Sequence, residues 1–264
     1  MSLSHHLGRM TGRDPLQRHR AATPLELLFD LTFVVAFSQI SSQAAHYLEG
    51  GDVRTALGGF AFSGFAVIWA WINYSWLASA YDNDDILFRL ATLVEMVGVL
   101  VVALGVPPVF HSIAAGHHLD NTVMVSGYVV MRVAAIALWL RAARHDPERR
   151  RTCLAYARNI GIAQLGWVAL IFLSLPISTT FAVAIVLILF ELAGPVYAET
   201  RHGRTPWHAH HIAERYGLLV IITLGEIVLG TILAISAVVE VEGWSTEAIL
   251  VAAGGTTLVF GLWW

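Results

Sequence analysis

Eight stretches of this sequence are apolar over lengths that can cross a lipid bilayer as an α-helix. The hydrocarbon core of a bilayer requires about 20 apolar residues in helical form. The stretches are roughly 25–48, 56–80, 86–106, 121–141, 156–175, 178–198, 211–238 and 246–264. Breaks between spans are predicted at Pro107-Pro108, Asp146-Pro147 and Pro176. We therefore predict an all-α fold, a polytopic transmembrane helical bundle with about eight spans.

The composition agrees with a membrane protein and excludes several other classes. Of the 264 residues, 56% are hydrophobic and 13% are charged, whereas about 25% are charged in soluble domains. A net charge of −3 supplies no basic surface for nucleic acid. All sixteen basic residues are arginines, which excludes lysine Schiff-base chemistry. The sequence has no phosphate-binding glycine loop, nucleophile elbow or zincin motif. We expect neither an enzyme nor a bound cofactor.

The arginines predict an orientation, because cytoplasmic loops of membrane proteins carry an excess of positive charge. If every stretch crosses the bilayer, fourteen of the sixteen arginines fall on the side of the N-terminus. Arg54 falls on the opposite side, and Arg132 lies inside the fourth span. We predict a basic cytoplasmic N-terminal segment over residues 1–24 and a single transmembrane helical domain over 25–264. The expected partner is the lipid bilayer, and glycines within the spans permit oligomerisation.

Six charged side chains are predicted to lie within the spans, on the cytoplasmic side of the midplane. A charge at the centre of a bilayer costs roughly 2.5–3.5 kcal/mol, so such residues usually face the protein interior and often have a function. The six are Glu26, Asp30, Glu95, Arg132, Glu191 and Glu226. Glu26 and Asp30 share one helix face through their i, i+4 spacing. Thr23 is predicted to cap that helix and Pro24 to occupy its first turn.

Five acids and one arginine in one interior cluster leave a surplus of carboxylates, which favours bound protons or a bound cation. One hypothesis is a proton- or cation-coupled transporter, possible substrates being a proton, a cation or a small molecule. Glu226 is then the central site, Arg132 its counter-charge, and Glu95 and Glu191 flank it. The alternative is a structural or regulatory membrane protein whose buried charges only stabilise helix packing.

A histidine-rich segment precedes the seventh span and supports a third hypothesis. His208, His210 and His211 lie close to Glu214 in sequence, and imidazole and carboxylate groups are ligands of zinc and iron. An intramembrane metalloenzyme would use this run as its metal site. Two other interpretations stay open. The histidines form a cap that contacts neighbouring loops, or they act as a cytoplasmic pH sensor. We predict no metal site. If a metal ion were bound, these three histidines would be its candidate ligands.

Two motifs and the final residues resemble a known bacterial family. Residues 23–34, TPLELLFDLTFV, are similar to the family's opening PLELFFDLVFV. Residues 211–218, HIAERYGL, together with LGE at 224–226, are similar to its ERFGLF…LGE block. Residues 262–264, LWW, look like the start of its LWWLYF element. The chain thus resembles the bacterial low temperature requirement protein A family.

This resemblance implies a multi-pass protein of the bacterial inner (plasma) membrane, in a family associated with growth at low temperature. Members continue past the double tryptophan with further spans, so the chain resembles a C-terminally truncated member. The polar positions of the motifs correspond to Glu26, Asp30, Glu214, Arg215 and Glu226.

Overall fold

The fold is all-helical in the part of the chain that the structure describes. A computed structural model describes residues 7–17 and 20–264. This part contains nine α-helices: α1 (Pro24–Glu49), α2 (Val53–Tyr81), α3 (Ile86–Leu104), α4 (Val106–Ala115), α5 (Thr122–His145), α6 (Arg150–Phe172), α7 (Ile177–His202), α8 (Ala209–Glu242) and α9 (Thr246–Trp263). By length and composition they provide eight candidate membrane spans, since α3 and α4 together form one. The prediction of an all-α bundle with eight spans is confirmed.

The proline pair at 107–108 does not end the third span as predicted. Pro107 and Pro108 lie in the first turn of α4, where a missing N–H costs no helical hydrogen bond. The interruption occurs at Gly105 instead, and α3 and α4 follow each other directly. A Cβ on Gly105 would lie 2.4 Å from the backbone nitrogen of Met124. Glycine at this position therefore allows the start of α5 to approach closely.

Side chains cap several helix starts. Thr23 Oγ1 accepts a hydrogen bond from Glu26 N, and Glu26 Oε2 accepts one from Thr23 N, which forms a reciprocal capping box. The predicted cap at Thr23 and the predicted first-turn proline are both confirmed. The side chains of Asp52, Asp85 and Ser245 each accept one backbone hydrogen bond at the start of α2, α3 and α9, respectively. These caps satisfy backbone donors that a helix start leaves without an intrahelical partner.

The chain divides into two compact units, residues up to Ile212 and Ala213–Trp264. In the first unit α1 packs against α2, α3 and α4, while α3, α5, α6 and α7 pack in sequence, each against the next. The second unit contains most of α8 and all of α9. One domain over 25–264 and a cytoplasmic N-terminus stay predictions.

Glycines bring α3 and α5 into close contact. A Cβ on Gly98 would lie 2.8 Å from the carbonyl oxygen of Gly127, and a Cβ on Gly127 would lie 2.6 Å from that of Gly98. Small residues permit such close approach in membranes, where van der Waals packing drives helix association. The sequence analysis did not single out this pair. By contrast, a Cβ on Gly64 in α2 would meet nothing within 4 Å.

The N-terminal strap, residues 7–17 and 20–22, runs across one end of the first unit. Gly8 N donates to Asp85 Oδ2 at 3.1 Å, and Arg141 Nη2 donates to Gly8 O at 2.9 Å. Met10 N donates to His145 Nδ1 at 3.1 Å, and the Met10 side chain is fully buried. The strap therefore joins the start of α3 to the end of α5.

Two arginines of the strap bind the end of α2. Arg13 N donates to Ala80 O, and its Nη1 donates to the carbonyl oxygen of Asp82, both at 3.0 Å. Arg20 is buried, and its Nη2 donates to Ala78 O at 2.8 Å. A helix C-terminus carries partial negative charge and unpaired carbonyls, which explains why arginine is stabilised there.

We expect Gly127→Ala to destabilise the fold. The added methyl would lie 2.6 Å from both Gly98 O and Val102 N, and overpacking of this kind costs about 1–3 kcal/mol. Thermal unfolding in detergent measures the effect. Gly64→Ala is the matched control, because it makes the same change in a membrane helix with open space around it. An equal shift in both variants would contradict the importance of the α3–α5 contact.

We expect Asp82→Asn to remove a pH dependence of stability. Burial, reinforced by the negative charge of Glu26, raises the pKa of Asp82 from 3.8 to about 6. The folded protein therefore binds a proton more tightly than the unfolded chain, and stability falls as the pH rises from about 4 to about 6. The variant should gain about 3 kcal/mol at pH 7.

Unfolding of both proteins between pH 4 and pH 8 measures this gain. The Asp82→Asn side chain still accepts the hydrogen bond that Asp84 N donates to Oδ1. Asp120→Asn changes an exposed carboxylate and serves as the control, in which the free energy of unfolding should still fall as the pH rises. If the free energy of unfolding of Asp82→Asn still fell with rising pH, a group other than Asp82 would cause the pH dependence.

Candidate functional site

The carboxylate of Glu191 on α7 is buried and accepts three hydrogen bonds from three other helices. Arg132 Nη2 on α5 donates to Oε2 at 2.5 Å and forms a buried salt bridge. Trp69 Nε1 on α2 donates to Oε2 at 2.5 Å, and Trp167 Nε1 on α6 donates to Oε1 at 2.8 Å. We call these four residues the Arg132–Glu191 site. It joins four helices through one carboxylate.

The site lies near the middle of the helices that form it. At 1.5 Å per residue, Glu191 is about 21 Å from the first residue of α7 and about 16 Å from the last. By the same measure, Arg132 is about 15 Å from the first residue of α5 and about 20 Å from the last. A hydrocarbon core about 30 Å thick would enclose both groups.

Arg132 is also held from its other side. Its guanidinium carbon lies 5.0 Å from the centroid of the Tyr128 ring, one turn earlier on α5. The Tyr128 hydroxyl donates to Ala66 O on α2 at 2.6 Å, which fixes the ring. A cation over an aromatic face is stabilised by the ring quadrupole, most strongly when both are removed from water. The charge of Arg132 is therefore balanced by one carboxylate and one ring.

Glu95 on α3 adds a second carboxylate beside Arg132. Its side chain is buried and interacts electrostatically with Arg132. Among the described residues, no group forms a hydrogen bond with Glu95 Oε1, which is buried. Most buried polar atoms have a partner, so an exception requires an explanation. Next to the Glu191 carboxylate, which has three donors, Glu95 thus provides a second carboxylate with an unused acceptor.

Two small cavities border the ion pair. One has a volume of about 30 Å³ and mainly apolar walls, including Phe62, Tyr128 and Trp167. The other has a volume of about 10 Å³, and Asn73, Tyr156 and Asn159 contribute its polar atoms. A cavity holds one water molecule at about 10–15 Å³. In this conformation the space beside Glu191 suits a proton or a water molecule and is too small for a bulky substrate.

Polar groups continue from the second cavity towards the end of α7. The Tyr156 hydroxyl, in the wall of that cavity, donates to Glu199 Oε1 at 3.0 Å. Trp76 Nε1 and Thr205 Oγ1 also donate to Glu199 Oε1, at 3.2 and 2.5 Å. Glu199 is partly exposed and lies about 12 Å along the helix from Glu191.

Sequence reasoning missed Glu199. The available signal was its i, i+8 spacing from Glu191, which keeps both residues on one side of a helix.

Pro195 lies inside α7, one turn after Glu191. Proline has no backbone N–H, so the carbonyl of Glu191, four residues earlier, loses its helical hydrogen bond. Both residues line the second cavity. Interrupted helices at membrane depth occur where the backbone borders protein or a polar cavity. The proline therefore adds a carbonyl acceptor beside the carboxylate.

The first-helix acids make different contacts from those expected of one interior cluster. Glu26 belongs to the capping box with Thr23, and its Oε1 lies 3.2 Å from His211 Nε2. Asp30 Oδ1 accepts a hydrogen bond from Trp71 Nε1 at 2.6 Å. The contacts thus group Arg132 with Glu191 and Glu95, and give Glu26 and Asp30 other partners.

The remaining motif residues belong to the second unit. Glu226 is partly exposed, Glu214 is exposed and Arg215 is buried, all on α8. The carboxylate that forms a salt bridge with Arg132 is Glu191. A central role for Glu226 stays a prediction.

The three candidate metal-binding histidines do not converge. His208 Nε2 lies 2.8 Å from Gln17 O of the strap, and His208 Nδ1 accepts a hydrogen bond from His211 N at 3.1 Å. His210 is exposed. In the part of the chain that the structure describes, no group of three His, Cys, Asp or Glu side chains is arranged to hold a metal ion. The contacts of His208 agree with the interpretation as a cap on neighbouring segments.

Comparisons with known proteins identify the family. The family model described as bacterial low temperature requirement A protein (LtrA) matches residues 21–264. An uncharacterised protein of Rhizobium meliloti (strain 1021) is 28% identical over 247 residues, which cover 90% of this chain and 56% of that protein. The chain thus spans about half the length of the curated relative it matches. No solved structure matches. With its eight apolar helices, this multi-pass membrane protein belongs to the bacterial low temperature requirement A family.

Proposed function

We propose that this chain moves protons within the bacterial inner membrane and carries out no enzymatic reaction. The supporting observation is the Glu191 carboxylate, held at mid-helix by Arg132 and two tryptophans beside cavities no larger than a few water molecules. Intramembrane acids of this kind mark proton relays and ion pathways in membrane proteins. The proton is favoured over other substrates because of the cavity volumes.

The relay begins at Glu199, the partly exposed acid. In the resting protein the Tyr156 hydroxyl donates to Glu199 Oε1. When Glu199 takes up a proton, the hydroxyl turns to accept that proton and gives its own to a water molecule in the second cavity, which passes a proton on to Glu191. Protonation neutralises Glu191 and weakens its attraction to Arg132. The guanidinium then turns towards Glu95, whose Oε1 has an unused acceptor position. One proton and one arginine together balance the two carboxylates.

We expect Glu191→Gln to abolish proton flux in proteoliposomes, reducing it to the rate of protein-free liposomes. Glutamine keeps the size of the side chain and a carbonyl acceptor, but it cannot take up a proton. Glu49→Gln, at an exposed helix end, is the control and should conduct like the native chain. Normal flux through folded Glu191→Gln protein would contradict the proposal, as would the absence of flux from the native chain.

The structural alternative is favoured by one observation, since Glu191 has hydrogen bonds on both carboxylate oxygens. A pair of charges so well satisfied can serve helix packing alone. Variants of Arg132 distinguish a proton relay from a purely structural role in helix packing.

We expect Arg132→Met to destabilise the protein by about 3–5 kcal/mol, because a buried carboxylate then lacks its cation. The double variant Arg132→Met with Glu191→Leu should regain most of that stability, since well-packed apolar residues often replace a buried ion pair without loss. Under the relay hypothesis the stable double variant does not conduct. Thermal unfolding and proteoliposome flux of the same preparations measure both quantities. A stable double variant with native flux would favour the structural role.

A further inference from the structure

Arg158 lies inside a membrane span, in the first half of α6. α6 begins at Arg150, so Arg158 is about 12 Å along the helix. Its side chain is exposed on the surface of the first unit. A charged group that faces lipid is costly unless it reaches the interface or meets an opposite charge.

The described residues provide no opposite charge. No carboxylate among them lies within salt-bridge distance of Arg158, whereas Arg89, Arg132, Arg141 and Arg149 all have such a partner. The guanidinium carbon of Arg158 lies 5.6 Å from the centroid of the Tyr197 ring. Stacking of this kind orients the planar guanidinium and leaves its N–H donors available.

An open groove of about 410 Å³ runs between α6 and α7 from this arginine. Arg158 and Tyr197 form one end of it. Ile162, one turn further along α6, and Phe190, two turns before Tyr197 on α7, form the other. Both apolar side chains are exposed, at 49% and 38%. The groove is thus polar near the helix ends where the arginines concentrate and apolar towards the middle of the membrane.

We infer that this groove binds an anionic phospholipid from the leaflet at the arginine-rich side. The phosphate accepts hydrogen bonds from Arg158, whose planar fork matches a phosphate group, and an acyl chain lies along Ile162 and Phe190. Basic pockets between membrane helices on the cytoplasmic side bind lipid headgroups through the same charge complementarity. A free phosphate would leave the apolar end of the groove uncovered.

The lipid lies one side chain away from the Arg132–Glu191 site. Asn159 and Gly194 belong to the wall of the groove and also to the wall of the polar cavity beside Glu191. Asn159 Nδ2 donates to Gly194 O at 3.1 Å and closes the gap between the two helices. The lipid inference stands on the groove and on Arg158, and it does not depend on proton movement.

The test compares binding of phosphatidylglycerol and phosphatidylcholine with matched chains to the detergent-purified protein, by native mass spectrometry. The native protein should prefer phosphatidylglycerol. Arg158→Gln should bind phosphatidylglycerol about fivefold more weakly, the value of one basic group at an anionic membrane surface. Arg151→Gln removes an exposed arginine about two turns before Arg158 on the same helix and should keep native binding.

A second variant tests the groove without changing the charge. Ala193→Trp fills the groove at an exposed position and should also weaken phosphatidylglycerol binding. Equal binding by Arg158→Gln and Arg151→Gln would overturn the inference. Competition by the chain-free headgroup glycerophosphoglycerol as strong as that by the lipid would also overturn it. So would a change in oligomeric mass alone for Arg158→Gln, because the arginine would then contact a second copy of the chain.

Discussion

The buried salt bridge between Arg132 and Glu191 constrains the arrangement of the helices around it. Two charges removed from water require good geometry and further hydrogen bonds, because otherwise desolvation exceeds their attraction. The tryptophan N–H groups and the Tyr128 ring meet that requirement from α2, α6 and α5. Any displacement of one of these helices would leave a charge without a partner in the middle of the membrane. The site is therefore a structural joint between these helices.

Close packing and polar ties support this joint from two sides. At the α3–α5 contact, glycines bring the backbones together and so place Glu95 and Arg132 near each other. At the arginine-rich end, the strap binds α2, α3 and α5 through its backbone and through Arg13 and Arg20. The strap occupies carbonyl and carboxylate groups that would otherwise face water or lipid headgroups. Its order follows from these contacts, since its own sequence contains no apolar run.

The sequence predicted the spans well and the site only in part. Hydropathy located all eight apolar stretches, because the bilayer requires that each helix carries its apolar residues within one continuous segment. The same argument placed Arg132 and Glu191 at depth. It placed the start of the fifth span six residues later than α6 begins. It also missed Glu199, which lies near a helix end where charged residues are ordinary. The predicted break at Pro107-Pro108 was wrong, because proline in the first turn is compatible with a helix.

By itself, the sequence determined the helical class, the number of spans, the cap at Thr23 and the asymmetric distribution of arginines. These properties depend on neighbours in the chain or on the solvent that surrounds each segment. Only the tertiary structure decided which acid binds Arg132, since its partner is 59 residues away and on another helix. It also decided that Glu26 is a capping residue with a histidine neighbour and that Arg158 faces a groove without an acid. The physical reason is that pairing between helices depends on how each helix is rotated and packed. The sequence places five acids at similar depth, and depth alone does not decide which of them meets Arg132.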